Sequence, residues 1–236
     1  MHLTVLKAGD PVAELAQRRG DFAAWIRETV GDAWAGEWRV HDIREDSPLP
    51  PIEGAAGFII TGSSSSVTER APWMLRAEAY VRELVATKTP LFGICFGHQM
   101  MAQALGGLVT KNPLGREIGT VRVEREGDDA IFSDIPAVFE ANETHVDAVV
   151  RLPEGARLLA RTSKDAAAAF AVGDAARAVQ FHPEIDADAM RGYVTARAPL
   201  MQAEGIDPDA VHRGVREAPH AQALLGNFVR RFVQRP

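Results

Sequence analysis

Cysteine is nearly missing from this chain: there is one in 236 residues, Cys95. A single thiol cannot close a disulfide within the chain, so a reducing cytoplasmic compartment is expected. Long apolar runs are missing too. No stretch approaches the roughly 20 residues of a membrane-spanning helix, and Met1–Leu6 is too short and too uncharged to read as a signal peptide. Basic clusters go no further than Arg18-Arg19 and Arg230-Arg231, against a formal net charge of −6. That balance gives neither nucleic acid nor an anionic membrane a reason to bind. No spacing of Cys, His and carboxylates fits a metal site. The serines Ser63–Ser66 lack the Gly-Lys-Ser/Thr that completes a phosphate loop, and Gly93–Gly97 lacks the spacing of a dinucleotide fingerprint. No metal and no cofactor are expected. Repeats, linkers and low-complexity tracts are also lacking, so residues 1–236 read as one domain.

What is present is an alternation of short apolar runs with amphipathic segments. Leu3–Leu6, Trp38–Ile43, Gly57–Ile60 and Pro90–Ile94 read as strands. Asp21 is placed to cap a helix carrying Phe22, Trp25, Ile26 and Val30, and Pro72 opens one carrying Trp73, Ala77, Tyr80, Val81 and Leu84. Strands alternating with helices point to a doubly wound, mostly parallel sheet with helices on both faces, where sites gather at the carboxyl ends of strands. Beyond residue 107 the runs become β-like and turn-rich, continuing or flanking that sheet. From about 186 the pattern is helical again, broken at Gly205-Ile206-Asp207-Pro208, and reads as a finishing extension to a core of about 1–185.

Cys95 sits at the apex of Gly93-Ile94-Cys95-Phe96-Gly97-His98-Gln99, where an apolar strand turns into a helix between two glycines. Such a corner holds one side chain at the sheet edge and aims the N–H groups of the helix start at whatever that side chain attacks. A thiol there needs a base, and the base needs an acid to orient it. Among seven histidines, His182 ends the run Ala178–Phe181, Pro183 stops the strand, and Glu184 comes next in the same extended stretch. A carboxylate two residues on can reach one imidazole nitrogen. His98 reads as a packing residue of the helix start, His145 as either a site-lining or a loop histidine, and Arg116-Glu117 as an exposed ion pair.

Together with Gln180-Phe181-His182-Pro183-Glu184, the cysteine elbow resembles the signature pair of class I (triad-type) glutamine amidotransferases, and within them the amidotransferase domain of GMP synthase and its free-standing relatives. Further matches are Thr61-Gly62-Ser63, Gly106-Gly107, Arg116–Gly119 and His145-Val146-Asp147. The resemblance implies a three-layer, flavodoxin-like α/β fold. It also implies that Cys95 attacks the side-chain amide of glutamine, with His182 as base and Glu184 orienting it. The backbone N–H groups of Phe96 and of the Gly62-Ser63 turn would hold the oxyanion. Gln99 and the backbone of His145, Val146 and Asp147 would hold the substrate's amino and carboxylate groups. The substrate would be glutamine or another γ-glutamyl compound, with a synthase as a possible acceptor of the ammonia.

This sequence departs from the family at one turn. GMP synthase-type domains carry a second glycine where Ser63 stands, and Gly-Ser there is nearer to γ-glutamyl peptidase-like members, which cleave other γ-glutamyl amides. Nothing after residue 190 resembles a synthase domain.

Overall fold

The computed structural model describes residues 1–234. Chain order runs β1 (His2–Lys7), α1 (Ala13–Arg19), α2 (Phe22–Val30), β2 (Glu37–Asp42), β3 (Ala55–Ile60), α3 (Pro72–Ala86), β4 (Leu91–Ile94) and α4 (Phe96–Ala104). It continues through β5 (Leu108–Lys111), β6 (Glu117–Arg125), β7 (Val138–His145), β8 (Asp147–Arg151), β9 (Arg157–Arg161), β10 (Ala169–Val172) and β11 (Ala176–Val179). It closes with α5 (Ala187–Ala203), α6 (Pro208–Gly214), α7 (Pro219–Phe228) and a π-helical turn, Val229–Val233.

Nine strands form one sheet in the order β2-β1-β3-β4-β11-β10-β9-β6-β7. The first five pair in parallel; the remaining pairings are antiparallel. The expected α/β architecture is present, with the turn-rich second half extending the sheet as antiparallel strands. The exceptions are β5 and β8, which pair with each other alone. Helix α1 was not anticipated: Gly9-Asp10-Pro11 marks the end of β1, but no capping side chain announces α1, whose N-cap is Val12.

Strand periodicity explains the layers. Leu3, Val5, Ile59, Phe92 and Ile94 bury their side chains on one face, with α2 and α7. Leu6, Phe58, Ile60 and Leu91 bury theirs on the other, with α3 and α4. Residues two apart share a face, so continuous apolar runs are what a strand covered on both sides requires. Asp21 caps α2 as its position implied, its Oδ1 accepting from the Ala24 N–H at 3.0 Å. A third cluster packs α5 against α1, α2 and β6 through Leu15, Phe22, Trp25, Ile118 and Tyr193. The carboxyl ends of β1, β3, β4 and β11 thus face a common edge, roofed by α5.

The corner after β4 depends on two close approaches. A Cβ on Gly93 would lie 2.7 Å from the Gly97 carbonyl, and one on Gly97 would lie 2.6 Å from the Ile60 carbonyl oxygen. Both contacts are with backbone, which has nowhere to retreat. Gly97→Ala is therefore expected to destabilise the fold by about 1–3 kcal/mol through overpacking, despite alanine's better helix propensity. Urea denaturation measures it, and an unchanged midpoint would show that α4 can slide on β3.

Candidate active site

Cys95 is the residue between β4 and α4, with φ 51° and ψ −100°. A side chain other than glycine at positive φ is strained by about 1–3 kcal/mol and persists only where its surroundings impose it. Here the Cys95 N–H donates to Val179 O at 2.9 Å and its carbonyl accepts from Gln99 N at 3.0 Å. The thiol is 6% exposed. It stands over the first turn of α4, whose leading N–H groups, Phe96 included, have no partner within the helix.

His182 lies just past β11 and is held by β7. Its N–H donates to Asn142 O at 2.9 Å, and Asn142 Nδ2 donates to Ile185 O at 2.9 Å. The chain does not stay extended to Glu184. Ile185 N donates back to His182 O at 3.2 Å, and the resulting turn folds the carboxylate under the ring. His182 Nδ1 donates to Glu184 Oε1 at 2.8 Å. Nε2 is buried without a hydrogen-bond partner among the described residues. Burial opposes a charge on this ring, but the Glu184 carboxylate and the nearby Cys95 sulfur outweigh it and raise the pKa to about 10. The ring is an imidazolium at neutral pH. Phe22 covers it, the two rings stacked at 6.4 Å between centroids.

Gly62 leaves room for this pair: a Cβ there would lie 3.0 Å from His182 Cε1 and 3.8 Å from Cys95 Cβ. Ser63 is admitted by Gly9, whose missing Cβ would come within 2.6 Å of Ser63 Cα. The Ser63 hydroxyl accepts from Ser65 N at 3.1 Å, which fixes the turn.

Two cavities meet at Cys95. One, of about 90 Å³, is polar: Ser63–Ser66, Gln99 and 144–147 line it. Gln99 Nε2 donates to Asp147 O at 2.9 Å and to Gln180 Oε1 at 3.0 Å, tying α4 to the loop between β7 and β8. Ser66 Oγ donates to the Asp147 carboxylate. The other, of about 140 Å³, is lined by Asp10, Pro11, Val12, Phe22, His182 and Tyr193, among others. Ser63, Ser64, Cys95, Thr144 and Arg197 belong to both. The structure thus brings together Cys95, His182, Glu184, Gly62, Ser63, Phe96, Gln99, His145, Val146 and Asp147.

His98 and His145 separate cleanly from His182. His98 is fully buried, hydrogen-bonded through Nε2 to Ala167 O at 2.8 Å, and pushed down to about 3 by burial. It is neutral and donates. His145 donates Nδ1–H to Asp147 O at 2.8 Å, with Nε2 3.0 Å from Glu143 and 3.4 Å from Glu117. Burial disfavours its charge, yet the two carboxylates hold its pKa well above the usual value. Burial also pushes Glu143 up to about 8, while Glu117 is held low by its hydrogen bonds. These three ligating atoms converge within 4.8 Å, a grouping that sequence spacing did not reveal. Glu117 is therefore buried in this cluster and not in an exposed pair with Arg116. Arg116 pairs with Glu204, at 2.8 and 2.9 Å.

Sequence reading missed Phe22, Thr144, Tyr193 and Arg197 as site walls and Asn142 as the clamp on the histidine turn. It also took the C-terminal helices for a finishing extension, whereas α5 supplies Tyr193 and Arg197 to the cavity. A periodic helix following the His182 motif carries no local mark of this; only the i,i+4 placement of the two residues hints at a shared face.

Residues 37–197, more than two thirds of the chain, match the family described as glutamine amidotransferase class-I. The chain belongs to that family. It is 34% identical over 237 aligned residues to a glutamine-hydrolysing GMP synthase of Vibrio vulnificus, covering 95% of this chain but only 42% of the synthase. It is 32% identical over 165 residues to gamma-glutamyl peptidase 4 of Arabidopsis thaliana, covering 67% of this chain and 64% of that one. A glutamine amidotransferase of Thermotoga maritima shares the fold over the full length of both chains, with a TM-score of 0.80 at 25% identity. Among the described residues no helix is long and apolar enough to cross a membrane.

Proposed function

We propose that this class I amidotransferase relative hydrolyses the amide at a γ-glutamyl carbonyl, glutamine being the simplest such substrate. The observation that carries the reading is one constellation. Cys95 is held at a helix start, His182 lines the same cavity with its Nε2 buried and without a hydrogen-bond partner among the described residues, and Glu184 holds the opposite nitrogen at 2.8 Å.

The Cys95 thiolate attacks the γ-carbonyl carbon, forming a C–S bond. The oxyanion accepts hydrogen bonds from Phe96 N–H and from the Gly62-Ser63 turn, donors of a kind that contribute about 3–4 kcal/mol each. As the tetrahedral intermediate collapses the C–N bond breaks, and His182 gives its Nε2 proton to the departing amine. Water then loses a proton to His182 and attacks the thioester. The C–S bond breaks, glutamate leaves, and Cys95 and His182 are restored for the next turnover. Gln99 and the 145–147 loop hold the glutamyl head in the polar cavity. With glutamine the amine is ammonia, and a synthase that consumes ammonia is the partner implied by the likeness to GMP synthase.

The test is a substrate panel, glutamine beside γ-glutamyl amides, with glutamate and released amine both measured. A diazo-ketone analogue of glutamine is expected to add to Cys95, located by mass spectrometry. An adduct elsewhere, or no glutamate from any member of the panel, would overturn the reading.

A further inference from the structure

The cavity beside His182 is larger than ammonia requires. His182 is the group that must protonate the leaving nitrogen, and it lines the 140 Å³ cavity but not the 90 Å³ one. The leaving side of the substrate therefore points into the larger cavity, while the glutamyl head takes the polar one. By the same measure a single water needs roughly 10–15 Å³, so this space has room for a leaving group of several heavy atoms, well beyond ammonia.

Its walls are chemically lopsided. Pro11, Val12, Phe22 and the ring of Tyr193 are apolar surface. Among the described residues, Arg197 is the one Arg or Lys lining either cavity. Its guanidinium lies over Tyr193, 5.2 Å from the ring centroid, and its Nη1 donates to Thr144. No carboxylate among the described residues lies within ion-pair distance of Arg197, whereas its near neighbour on the fold, Arg116, is paired in bidentate fashion with Glu204. Asp10, the acidic side chain on the same wall, is neutralised by Lys7 at 2.5 Å and Arg44 at 2.9 Å. A planar donor fork, half-buried without a counter-ion at the mouth of a reactive centre, is built to meet a carboxylate brought by the substrate.

We infer that the preferred substrates are γ-glutamyl amino acids, with Arg197 binding the α-carboxylate of the departing amino acid and Phe22, Val12 and Tyr193 receiving an apolar side chain. This rests on the proposed amide hydrolysis and narrows it. Cys95 cleaves the isopeptide C–N bond, His182 supplies the proton, and a free amino acid leaves in place of ammonia. Glutamine lacks the group that Arg197 would hold.

The test compares γ-glutamyl-phenylalanine with its C-terminal carboxamide and with glutamine, on wild type and on Arg197→Gln and Arg197→Lys, by kcat/KM. Wild type is expected to favour the acid over its carboxamide by about tenfold to a hundredfold, the range of a hydrogen-bonded charge. Arg197→Gln is expected to bring that ratio close to one, and Arg197→Lys to restore part of it. Equal wild-type turnover of acid and carboxamide would overturn the inference without needing any variant. So would a loss on Arg197→Gln of the same size for all three substrates, which would place the guanidinium on the glutamyl head. Turnover of glutamine with none of the dipeptide overturns this inference and leaves the proposed hydrolysis standing. Failure on all three substrates, with Cys95 unlabelled by the diazo-ketone, overturns both.

Discussion

Cys95→Ala is expected to abolish turnover, by on the order of 10⁵-fold or more, while the protein stays folded. His182→Ala should be nearly as severe, and the double variant no worse than either, because nucleophile and base act as one unit. Alanine is tolerated at position 95 because the strain there belongs to the backbone, φ 51°, and is the same for Ala as for Cys. The backbone bonds from Cys95 N to Val179 O and from Gln99 N to Cys95 O do not involve the thiol. His182→Ala costs more stability, since it takes from the buried Glu184 carboxylate the ring N–H that it accepts. Steady-state assays of both single variants and the double variant, beside thermal unfolding, separate these effects. Residual activity in Cys95→Ala within tenfold of wild type would remove the thiol from the chemistry. Losses that multiplied in the double variant would show that His182 acts independently of Cys95.

The parallel half of the sheet was legible because strands buried on both faces must be continuously apolar, and Gly57–Ile60 and Leu91–Ile94 are. The elbow was legible for a steric reason: glycines flank Cys95 at 93 and 97 because a Cβ at either would strike backbone. What was not legible is what distance in sequence conceals. Asn142 sits forty residues before the turn it clamps, inside β7. Strand β7 runs on to His145 because Asn142, Thr144 and His145 are buried polar residues with partners on β6, α5 and β8, and the buried Glu143 carboxylate meets His145 within the strand. Such residues look like loop in a sequence and are core in the fold. The turn at Pro183-Glu184 was misread as extended for a related reason: proline ends a strand without dictating the path of the chain beyond it. Arg197 lies thirteen residues beyond Glu184 with no motif around it, and its meaning comes from the cavity that α5 roofs.

Glu184→Gln is expected to lower kcat/KM at neutral pH by about 10²–10³-fold and to move the alkaline limb of the pH profile to lower pH. Glu184 Oε1 accepts the Nδ1–H of His182, and its Oε2 is buried with no partner among the described residues. In the variant, one amide orientation keeps the acceptor on Nδ1 and buries an unsatisfied NH₂ where Oε2 was. The other turns NH₂ toward Nδ1 and forces the wrong tautomer, with the proton on Nε2 and no base facing the thiol. Either orientation loses the negative charge. In the wild type the pKa of His182 is raised to about 10, burial working against it and Glu184 foremost among the groups working for it. A raised value means the ring holds its proton throughout the neutral range and loses it only as pH climbs through about 10. Taking away the carboxylate while burial remains lowers the value, so the imidazolium that protonates the leaving amine disappears at lower pH. A pH–rate profile of kcat/KM for wild type and Glu184→Gln on one substrate makes the measurement. If the alkaline limb stayed in place while the rate fell, Glu184 would act through orientation alone. If neither moved, the carboxylate would have no part in the relay and the unpartnered Nε2 of His182 would need another explanation.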